Sequence, residues 1–216
     1  MLKEYQYREI YILILTPKLT KDFGYLYIED LYTDDELDKI WKETKFLDYF
    51  LDQPEPFTKR ITSSAMNELE FGKEPKFLGS GCFLDHIYAE RKVSPILTFN
   101  RKLYTEEVGK AFYNHPANER IDQCDLDWTL LNRYESGAYY KPHYDLSVFS
   151  ALTFLVENFE DTTGGDLIFS DYDITFPPIT NTAILFPSWV NHTVTQVKGD
   201  KESSRYSIAQ FLSFKV

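Results

Sequence analysis

The chain has 216 residues and carries 34 acidic against 23 basic side chains, which gives a formal net charge of −11 at pH 7. Hydrophobic residues make up 43% of the sequence, enough for the core of one folded domain and too many for a disordered chain. The acidic balance argues against a protein that binds nucleic-acid backbones, because such binding depends on clustered lysine and arginine. With two cysteines and four histidines, a disulfide framework and a thiolate zinc site are excluded, so any metal must be held mainly by His, Asp and Glu.

The most apolar run lies at residues 10–15 and is much shorter than the roughly 20 residues that a membrane-spanning helix needs. Two acidic residues, Glu4 and Glu9, precede the run and no small-residue cleavage site follows it, which argues against a signal peptide. The run is rich in β-branched and aromatic residues and stops at Thr16–Pro17, so it predicts a buried strand. We therefore expect a cytoplasmic protein that does not enter a membrane.

Two helices are predicted before the middle of the chain. Thr33 and Glu36 have the spacing of a capping box, and apolar residues then recur on one helical face. A second helix is predicted to start at Ser94–Pro95, an N-cap followed by proline at the first helical position, and to end before Pro116. Residues 50–92 contain prolines and glycines without a clear period and give no detailed prediction.

From about Leu126 the sequence changes to short apolar segments separated by turns, a pattern typical of a sandwich or jelly roll. We predict a mostly β fold with α (α+β): a double-stranded β-helix (jelly-roll or cupin-like) core at 126–216, with helices packed on one sheet. Residues 1–125 would form the helical and loop-rich support, and 1–216 one domain. The predicted strands are 128–134, 140–145, 151–156, 166–169, 174–177, 183–186, 193–197 and 206–214.

The histidines form one pattern that suggests a metal site. His143 and Asp145 are two residues apart in a predicted strand, so their side chains project from the same face. Alone, such a pair is more often a hydrogen bond on a strand surface. With His192, between two later strands, the three residues have the sequence form of the 2-His-1-carboxylate triad of non-haem Fe(II). His86 and His115 have no partner at ligand spacing and are assigned to structure or solvent.

The last predicted strand carries a candidate anion site. Arg205 and Ser207 are two residues apart, so a guanidinium and a hydroxyl share one face of the strand. A guanidinium can hold a carboxylate through two parallel hydrogen bonds, which suits the far carboxyl group of a dicarboxylate. A surface salt bridge explains Arg205 equally well by itself, but its combination with the three candidate metal ligands favours ligand binding.

Four motifs in this order resemble the Fe(II)/2-oxoglutarate-dependent dioxygenases, and most closely their prolyl 4-hydroxylase-like branch. RYESGAYYKPHYD at 133–145 is similar to that branch's R-Y-x-x-G-x-x-Y-x-x-H-x-D signature, and GGDL at 164–167 is similar to its G-G-x-L turn. ILFP at 184–187 precedes the distal histidine, as in the family. RYSI at 205–208 is similar to the closing R-Y-S strand of the branch.

The resemblance implies that His143, Asp145 and His192 ligate Fe(II) and that Arg205 pairs with the 5-carboxylate of 2-oxoglutarate. The implied reaction is oxidative decarboxylation of 2-oxoglutarate with O₂, coupled to hydroxylation of a substrate C–H bond and yielding succinate and CO₂. Ascorbate is a further candidate cofactor. The oxidative chemistry would belong to the iron and cosubstrate, while the protein orients the substrate and excludes water.

The resemblance also assigns residues around the cosubstrate. Tyr134 matches a tyrosine that contacts 2-oxoglutarate, Asn132 is expected to assist it, and Ser207 is expected to support Arg205. Many prolyl hydroxylases carry lysine at the Arg205 position, whereas arginine is common in the wider superfamily. The interval between the distal histidine and Arg205 is also slightly longer here, and residues 198–202 are predicted to absorb it as a turn.

Three functions remain open from the sequence. The first is hydroxylation of a prolyl or other residue in a peptide or protein, or of a free amino acid. The second is nucleobase demethylation, which fits residues 132–134 but not Phe211, because that branch has a second arginine six residues after the first. The acidic charge also argues against nucleic acid as a partner. The third is a non-catalytic jelly-roll metal-binding module, which the presence of every candidate ligand disfavours. Oligomeric state is not predicted.

Strand parity and composition give expectations for the aromatic residues. Tyr139 and Lys141 are expected to face inward with His143. Those expected to pack outward under the helices are Tyr140, Pro142 and Tyr144. Aromatics of the irregular region are expected to be ordinary core rather than the lining of a lid over the iron, namely Phe57, Phe77, Phe83 and Tyr88.

Overall fold

The computed structural model of the protein describes residues 13–51, 69–70, 74–157, 160–200 and 204–215. The first elements are β1 (Ile14–Leu19), β2 (Gly24–Glu29), α1 (Asp34–Leu51), β3 (Leu69–Glu70), β4 (Glu74–Pro75), β5 (Phe77–Leu78) and β6 (Ser80–Phe83). Three helices follow, α2 (Leu84–Ile87), α3 (Pro95–Phe99) and α4 (Glu106–Phe112), with 3-10 turns at Arg91–Val93, Asn100–Tyr104, Pro116–Asn118 and Ile121–Gln123. The remaining strands are β7 (Leu126–Glu135), β8 (Tyr139–His143), β9 (Phe149–Val156), β10 (Leu167–Phe169), β11 (Ile174–Phe176), β12 (Ala183–Pro187), β13 (His192–Val194) and β14 (Ser204–Ser213).

Two antiparallel sheets form the double-stranded β-helix that the sequence predicts. The larger sheet has the strand order β1-β2-β12-β9-β14-β7-β6, and the smaller has the order β11-β10-β13-β8-β5. All eight strands predicted from residue 126 onward are confirmed, with ends that differ by at most three residues. The turn expected at residues 198–202 lies partly outside the described residues.

The alternation of side chains along β14 places a hydrophobic core on each face of the larger sheet. Ile208 and Leu212 point to one face, where they join apolar residues of α1, α3 and α4. Ala209 points to the other face, where it packs with residues of the smaller sheet such as Phe169 and Phe176. The helices therefore cover one face of the larger sheet, as predicted, and leave its inner face to form the barrel.

The capping box at the start of α1 is confirmed. The backbone N–H of Thr33 donates to Oε2 of Glu36 at 2.9 Å, and the N–H of Glu36 donates to Oγ1 of Thr33 at 3.3 Å. These two bonds satisfy donors that the first helical turn would otherwise leave unpaired. In the described part of the chain, no helix is both long enough and apolar enough to cross a membrane.

The second predicted helix is divided in two, so the prediction of one continuous helix was wrong. Ser94 caps α3 as expected, since its Oγ accepts from the N–H of Leu97 at 3.1 Å. The helix ends at Phe99, and Thr105 then caps α4 by accepting from the N–H of Val108 at 3.3 Å. A second N-cap residue within the segment restarts the helix there.

The first strand is less buried than its sequence predicts. The predicted run began at residue 10, but residues 10–12 lie outside the described part and β1 starts at Ile14. It is an edge strand that continues through Pro17, and its end residues Ile14 and Leu19 are 45% and 63% exposed. Proline is tolerated there because an edge strand has N–H groups that no neighbour requires.

Candidate active site

Two histidines and one aspartate meet where the smaller sheet ends. His143 is the last residue of β8, and its direct partner across the sheet is His192, the first residue of β13. Asp145 follows two residues after β8. Its Oδ1 lies 3.8 Å from Nε2 of His143, and its Oδ2 lies 3.6 Å from Nε2 of His192. One potential ligand atom from each of the three residues lies within 4.8 Å of the others.

Backbone hydrogen bonds orient both imidazoles toward this meeting point. The Nδ1–H of His143 donates to the carbonyl of Lys141 at 2.8 Å, and that of His192 donates to the carbonyl of Val190 at 2.9 Å. Because a carbonyl can only accept, Nδ1 carries the proton of this bond, and Nε2 is the nitrogen that faces the meeting point. Burial, together with neighbouring His192, lowers the pKa of His143 to about 2, so this imidazole is neutral near pH 7.

A chain of three hydrogen-bonded serine hydroxyls ends at the carboxylate of Asp145. Ser150 donates to Oδ2 of Asp145, and its hydroxyl lies 2.8 Å from that of Ser188. Ser147 continues the chain at 2.6 Å from Ser188, whose backbone carbonyl accepts from the N–H of Asp145 at 3.0 Å. Ser150 and Ser188 have no exposed surface. Hydrogen bonds of this kind fix the orientation of a metal-binding carboxylate.

The donor set fits an Fe(II) ion. Two imidazole nitrogens and one carboxylate, with ligand atoms that lie within 4.8 Å of one another, match the 2-His-1-carboxylate arrangement that leaves positions open for other ligands. All three side chains lie on or beside strands of a rigid sheet, which keeps the donor atoms in place. The residues that could hold the metal are therefore His143, Asp145 and His192.

A buried cation that forms no ion pair within the described residues lies in the same cavity. Arg205 on β14 has no exposed surface, and none of its guanidinium nitrogens has a hydrogen-bond partner among the described residues. The guanidinium carbon lies 4.5 Å from the ring centroid of Tyr134 and 5.0 Å from that of Phe154. Burial lowers the pKa of Arg205, and the neighbouring Tyr134 phenol opposes this shift by raising the pKa. A buried, unpaired guanidinium is costly, so this geometry is suited to an anionic ligand.

The other predicted cosubstrate residues lie beside Arg205. Tyr134 is its direct partner on β7, and Ser207 and Asn132 form the next pair on the same face of the two strands. All four line the cavity. The Oδ1 of Asn132 is buried without a hydrogen-bond partner, and burial raises the pKa of Tyr134. The structure thus brings together every residue that the sequence assigned to the cosubstrate.

The glycine pair at 164–165 explains how the chain passes close to this arginine. Both residues have φ of +72°, a conformation that side chains with a Cβ adopt at a cost. A Cβ on Gly165 would lie 3.5 Å from Cδ of Arg205, and one on Gly164 would lie 2.2 Å from the carbonyl oxygen of Gln196.

Tyr140 lies on the opposite face from the one that strand parity predicts. Its ring stacks on His143, with centroids 3.6 Å apart and an interplanar angle of 14°, and it lines the cavity together with Tyr144. The expectation that these tyrosines pack outward under the helices was wrong. The register of β8 against β13 shifts between Tyr140 and His143, where three steps on β8 face two on β13. Such a bulge brings residues of opposite parity to one face.

The cavity has a volume of about 560 Å³ and extends well beyond the metal site. Phe77 is buried against Tyr134, as expected of a core residue, whereas Phe83 lines the cavity. Phe57 lies outside the described residues. His115 has the structural role expected of it, because its Nδ1 accepts from the N–H of Ala117. The cavity residues that sequence reasoning missed include His86, Trp128, Lys76 and Leu146.

A family model described as the 2OG-Fe(II) oxygenase superfamily matches residues 129–213. No curated protein matches the sequence. The match covers most of β7 and all of β8 to β14, and it includes the candidate metal ligands and the residues assigned to the cosubstrate.

Several solved structures share the fold over most of the chain. A Pseudomonas putida prolyl-4-hydroxylase is 16% identical with a TM-score of 0.57, over 90% of this chain and 94% of its own. The viral collagen prolyl hydroxylase of Paramecium Bursaria Chlorella virus-1, solved with 2OG, is 14% identical with a TM-score of 0.53, over 88% and 96%. A Trichoplax adhaerens prolyl hydroxylase, solved with a hypoxia inducible factor peptide fragment, is 12% identical with a TM-score of 0.53, over 88% and 83%. At these identities the similarity is one of fold.

Proposed function

We propose that this protein, whose residues 129–213 match the model of the 2OG-Fe(II) oxygenase superfamily, is a 2-oxoglutarate-dependent dioxygenase that hydroxylates a C–H bond of an amino-acid residue. Enzymes of this superfamily use Fe(II), 2-oxoglutarate and O₂. The substrate would be a prolyl or other residue of a peptide or protein, or a free amino acid, and the coproducts succinate and CO₂.

In this proposal His143, Asp145 and His192 hold Fe(II), which supplies the redox chemistry that activates O₂. The protein turns both imidazoles toward the ion through their Nδ1–H bonds. Ser150 holds one carboxylate oxygen of Asp145 in place. These contacts fix the ligands before the metal binds, so little reorganisation is needed.

Arg205 would bind the 5-carboxylate of 2-oxoglutarate, and its burial without a partner beside three convergent metal ligands is the observation that carries the proposal. The dicarboxylate would supply the acceptors that the guanidinium lacks. Tyr134, Ser207 and Asn132 would complete the cosubstrate site, because all three line the cavity next to Arg205. As part of the cavity wall, these side chains would exclude water from the reacting atoms.

A peptide or amino-acid substrate is favoured over a nucleobase by two features. The net charge of −11 opposes the approach of a polyanion. The position at which the nucleobase branch would have a second arginine is Phe211, and its side chain lines the cavity. The Trichoplax relative was solved with a peptide, which supports the same class of substrate. A cytoplasmic location, also proposed, is supported by the free thiols of Cys82 and Cys124.

The proposal is tested by incubating the purified protein with Fe(II), 2-oxoglutarate and O₂, with and without ascorbate, and measuring succinate. Panels of peptides, free amino acids and nucleic acids are then searched by mass spectrometry for a product that has gained one oxygen atom. Succinate formation with a peptide or amino-acid product supports the proposal. A product in the nucleic-acid panel alone would support the nucleobase branch, and no 2-oxoglutarate turnover would contradict both.

A further inference from the structure

The inner floor of the active-site cavity changes in character along two neighbouring strands. Alternate residues of β7 and β14 point into the cavity and face one another across the strand pair. From one end to the other, the pairs are Tyr134 with Arg205, Asn132 with Ser207, Leu130 with Ala209, and Trp128 with Phe211. The floor is therefore charged and polar at one end and aromatic at the other.

Four rings form the aromatic end, which consists of Phe83, His86, Trp128 and Phe211. Phe83 lies 5.4 Å from His86, 6.4 Å from Trp128 and 6.3 Å from Phe211, measured between ring centroids. His86 lies 5.4 Å from Trp128 at an interplanar angle of 77°. Tilted and edge-on arrangements of this kind leave ring faces and edges available to a further aromatic group.

The aromatic end lies beside the candidate metal ligands and away from the proposed cosubstrate carboxylate. Phe211 is the direct cross-strand partner of Ser150 on β9, and Ser150 donates to Asp145. Phe211 follows Arg205 by six residue steps on β14, which is about 20 Å along an extended strand. A five-carbon dicarboxylate held by Arg205 cannot span that distance, so the aromatic end is left for another molecule.

The aromatic end contains no carboxylate, lysine or arginine. The cavity residues that carry a formal charge are Lys76, Asp145 and Arg205, and none of them belongs to the aromatic end. Lys76 precedes β5, which pairs with β8 on the other sheet. At the mouth, Leu146 is fully exposed and Trp128 is 40% exposed, an unusual amount of apolar surface beside a site that must exclude water. A bound apolar group would cover this surface.

We propose that the aromatic end is a substrate subsite that binds an uncharged aromatic side chain carried close to the oxidised carbon. This inference rests on the proposed function, because it takes the metal site as the point of reaction. It adds that the enzyme selects substrates by an aromatic group, which the predicted hydroxylation alone does not require.

Binding of small probes tests the subsite directly. The protein is loaded with Fe(II) and 2-oxoglutarate under nitrogen and titrated calorimetrically with N-acetylphenylalaninamide, N-acetylleucinamide and N-acetylglutamate. The phenylalanine probe is expected to bind about threefold more tightly than the leucine probe, because ring–ring contacts add to apolar burial. The glutamate probe is expected to show no saturable binding at the aromatic end. Equal affinities for the three probes, or no binding of the phenylalanine probe, would overturn the inference.

Substitutions then locate the binding. Phe211→Ala and Trp128→Ala are each expected to weaken binding of the phenylalanine probe at least about fivefold, and Trp128→Leu separates loss of the ring from loss of volume. The matched control is Trp189→Ala, since Trp189 is 48% exposed and packs on Phe23 outside the cavity. Probe affinity that survives both Phe211→Ala and Trp128→Leu would place the binding elsewhere and contradict the proposal.

A separate readout distinguishes failure of the subsite from failure of the proposed function. The thermal stabilisation of each protein by 2-oxoglutarate reports folding and an intact cosubstrate site. If the wild type responds to 2-oxoglutarate but not to the phenylalanine probe, the subsite is wrong and the function stands. If it binds the probe but neither binds nor consumes 2-oxoglutarate, the proposed function is wrong, and the aromatic end binds aromatic groups without being the substrate subsite of a dioxygenase.

Discussion

The hydroxyl of Ser150 donates a hydrogen bond of 2.5 Å to Oδ2 of Asp145, the carboxylate that faces both candidate histidine ligands. The bond joins β9 of the larger sheet to the loop that follows β8 of the smaller one. Ser188 in turn lies 2.8 Å from the Ser150 hydroxyl, so the orientation of the carboxylate depends on both sheets. The geometry of the proposed metal site is therefore a property of the closed barrel.

Removing this hydroxyl should weaken metal binding. We expect Ser150→Ala to lower the affinity for a divalent metal by about 10- to 100-fold, the usual effect of losing an outer-shell partner. Anaerobic titration with Co(II), followed by its visible absorption, measures the affinity without turnover. The exposed Ser170 provides the control, and Ser170→Ala should bind Co(II) like the wild type. Equal affinity in the Ser150 and Ser170 variants would show that the hydrogen bond does not support the metal.

Replacing Arg205 should separate stability from cosubstrate binding. Its buried, unpaired guanidinium destabilises the free protein, so Arg205→Met is expected to raise the free energy of unfolding by about 1 kcal/mol in urea denaturation. The same substitution should weaken 2-oxoglutarate binding at least about tenfold, because charge-assisted hydrogen bonds are lost. In Arg120→Met, a change at an exposed arginine that bonds Gln123, cosubstrate affinity should be unchanged. Unaltered 2-oxoglutarate affinity in the Arg205 variant would contradict its assigned role.

Two glycine substitutions should act in opposite directions. Gly164→Ala places a Cβ 2.2 Å from the carbonyl oxygen of Gln196 at a φ of +72°, and we expect it to destabilise the fold by about 1–3 kcal/mol. Gly109 lies within α4 with open space around its Cα, so Gly109→Ala should stabilise the protein by about 1 kcal/mol. Urea denaturation measures both. A neutral or stabilising Gly164→Ala would mean that the turn is not as tightly packed as described.

Burial of Cys82 should make stability fall at alkaline pH. Burial raises the pKa of this thiol from its ordinary value of 9.0 to about 12. The unfolded chain therefore loses the proton first, so the stabilisation is complete below about pH 9 and is lost as the pH rises toward 12. Above pH 9, Cys82→Ala should reduce the slope of unfolding free energy against pH by about 1.4 kcal/mol per unit. Identical slopes in the wild type and the variant between pH 9 and 10.5 would contradict this assignment.

Much of the fold could be predicted because its signals are local. Each strand of the barrel is a short apolar segment bounded by turn residues, and the His143–Asp145 pair follows from strand periodicity. The division of the second helix also had a local signal in Thr105, an N-cap residue followed by two glutamates.

Other features depend on contacts that no local pattern specifies. Ser150 and Ser188 are far apart in the sequence, and only closure of the barrel brings them together behind Asp145. The inward turn of Tyr140 comes from a bulge in β8, for which Pro142 was the available signal, because proline in a strand often marks such an irregularity. The aromatic end likewise joins residues of β6, α2, β7 and β14.

The most direct test of the central claim is succinate production from 2-oxoglutarate by the Fe(II)-loaded protein in the presence of O₂. We expect succinate from the wild type and none from Asp145→Ala or His143→Ala, because each substitution removes a metal donor. His115→Ala, a change at a histidine outside the cavity, should retain turnover. Equal succinate formation by the wild type and Asp145→Ala would contradict the assignment of Asp145 to the metal and, with it, the proposed active site.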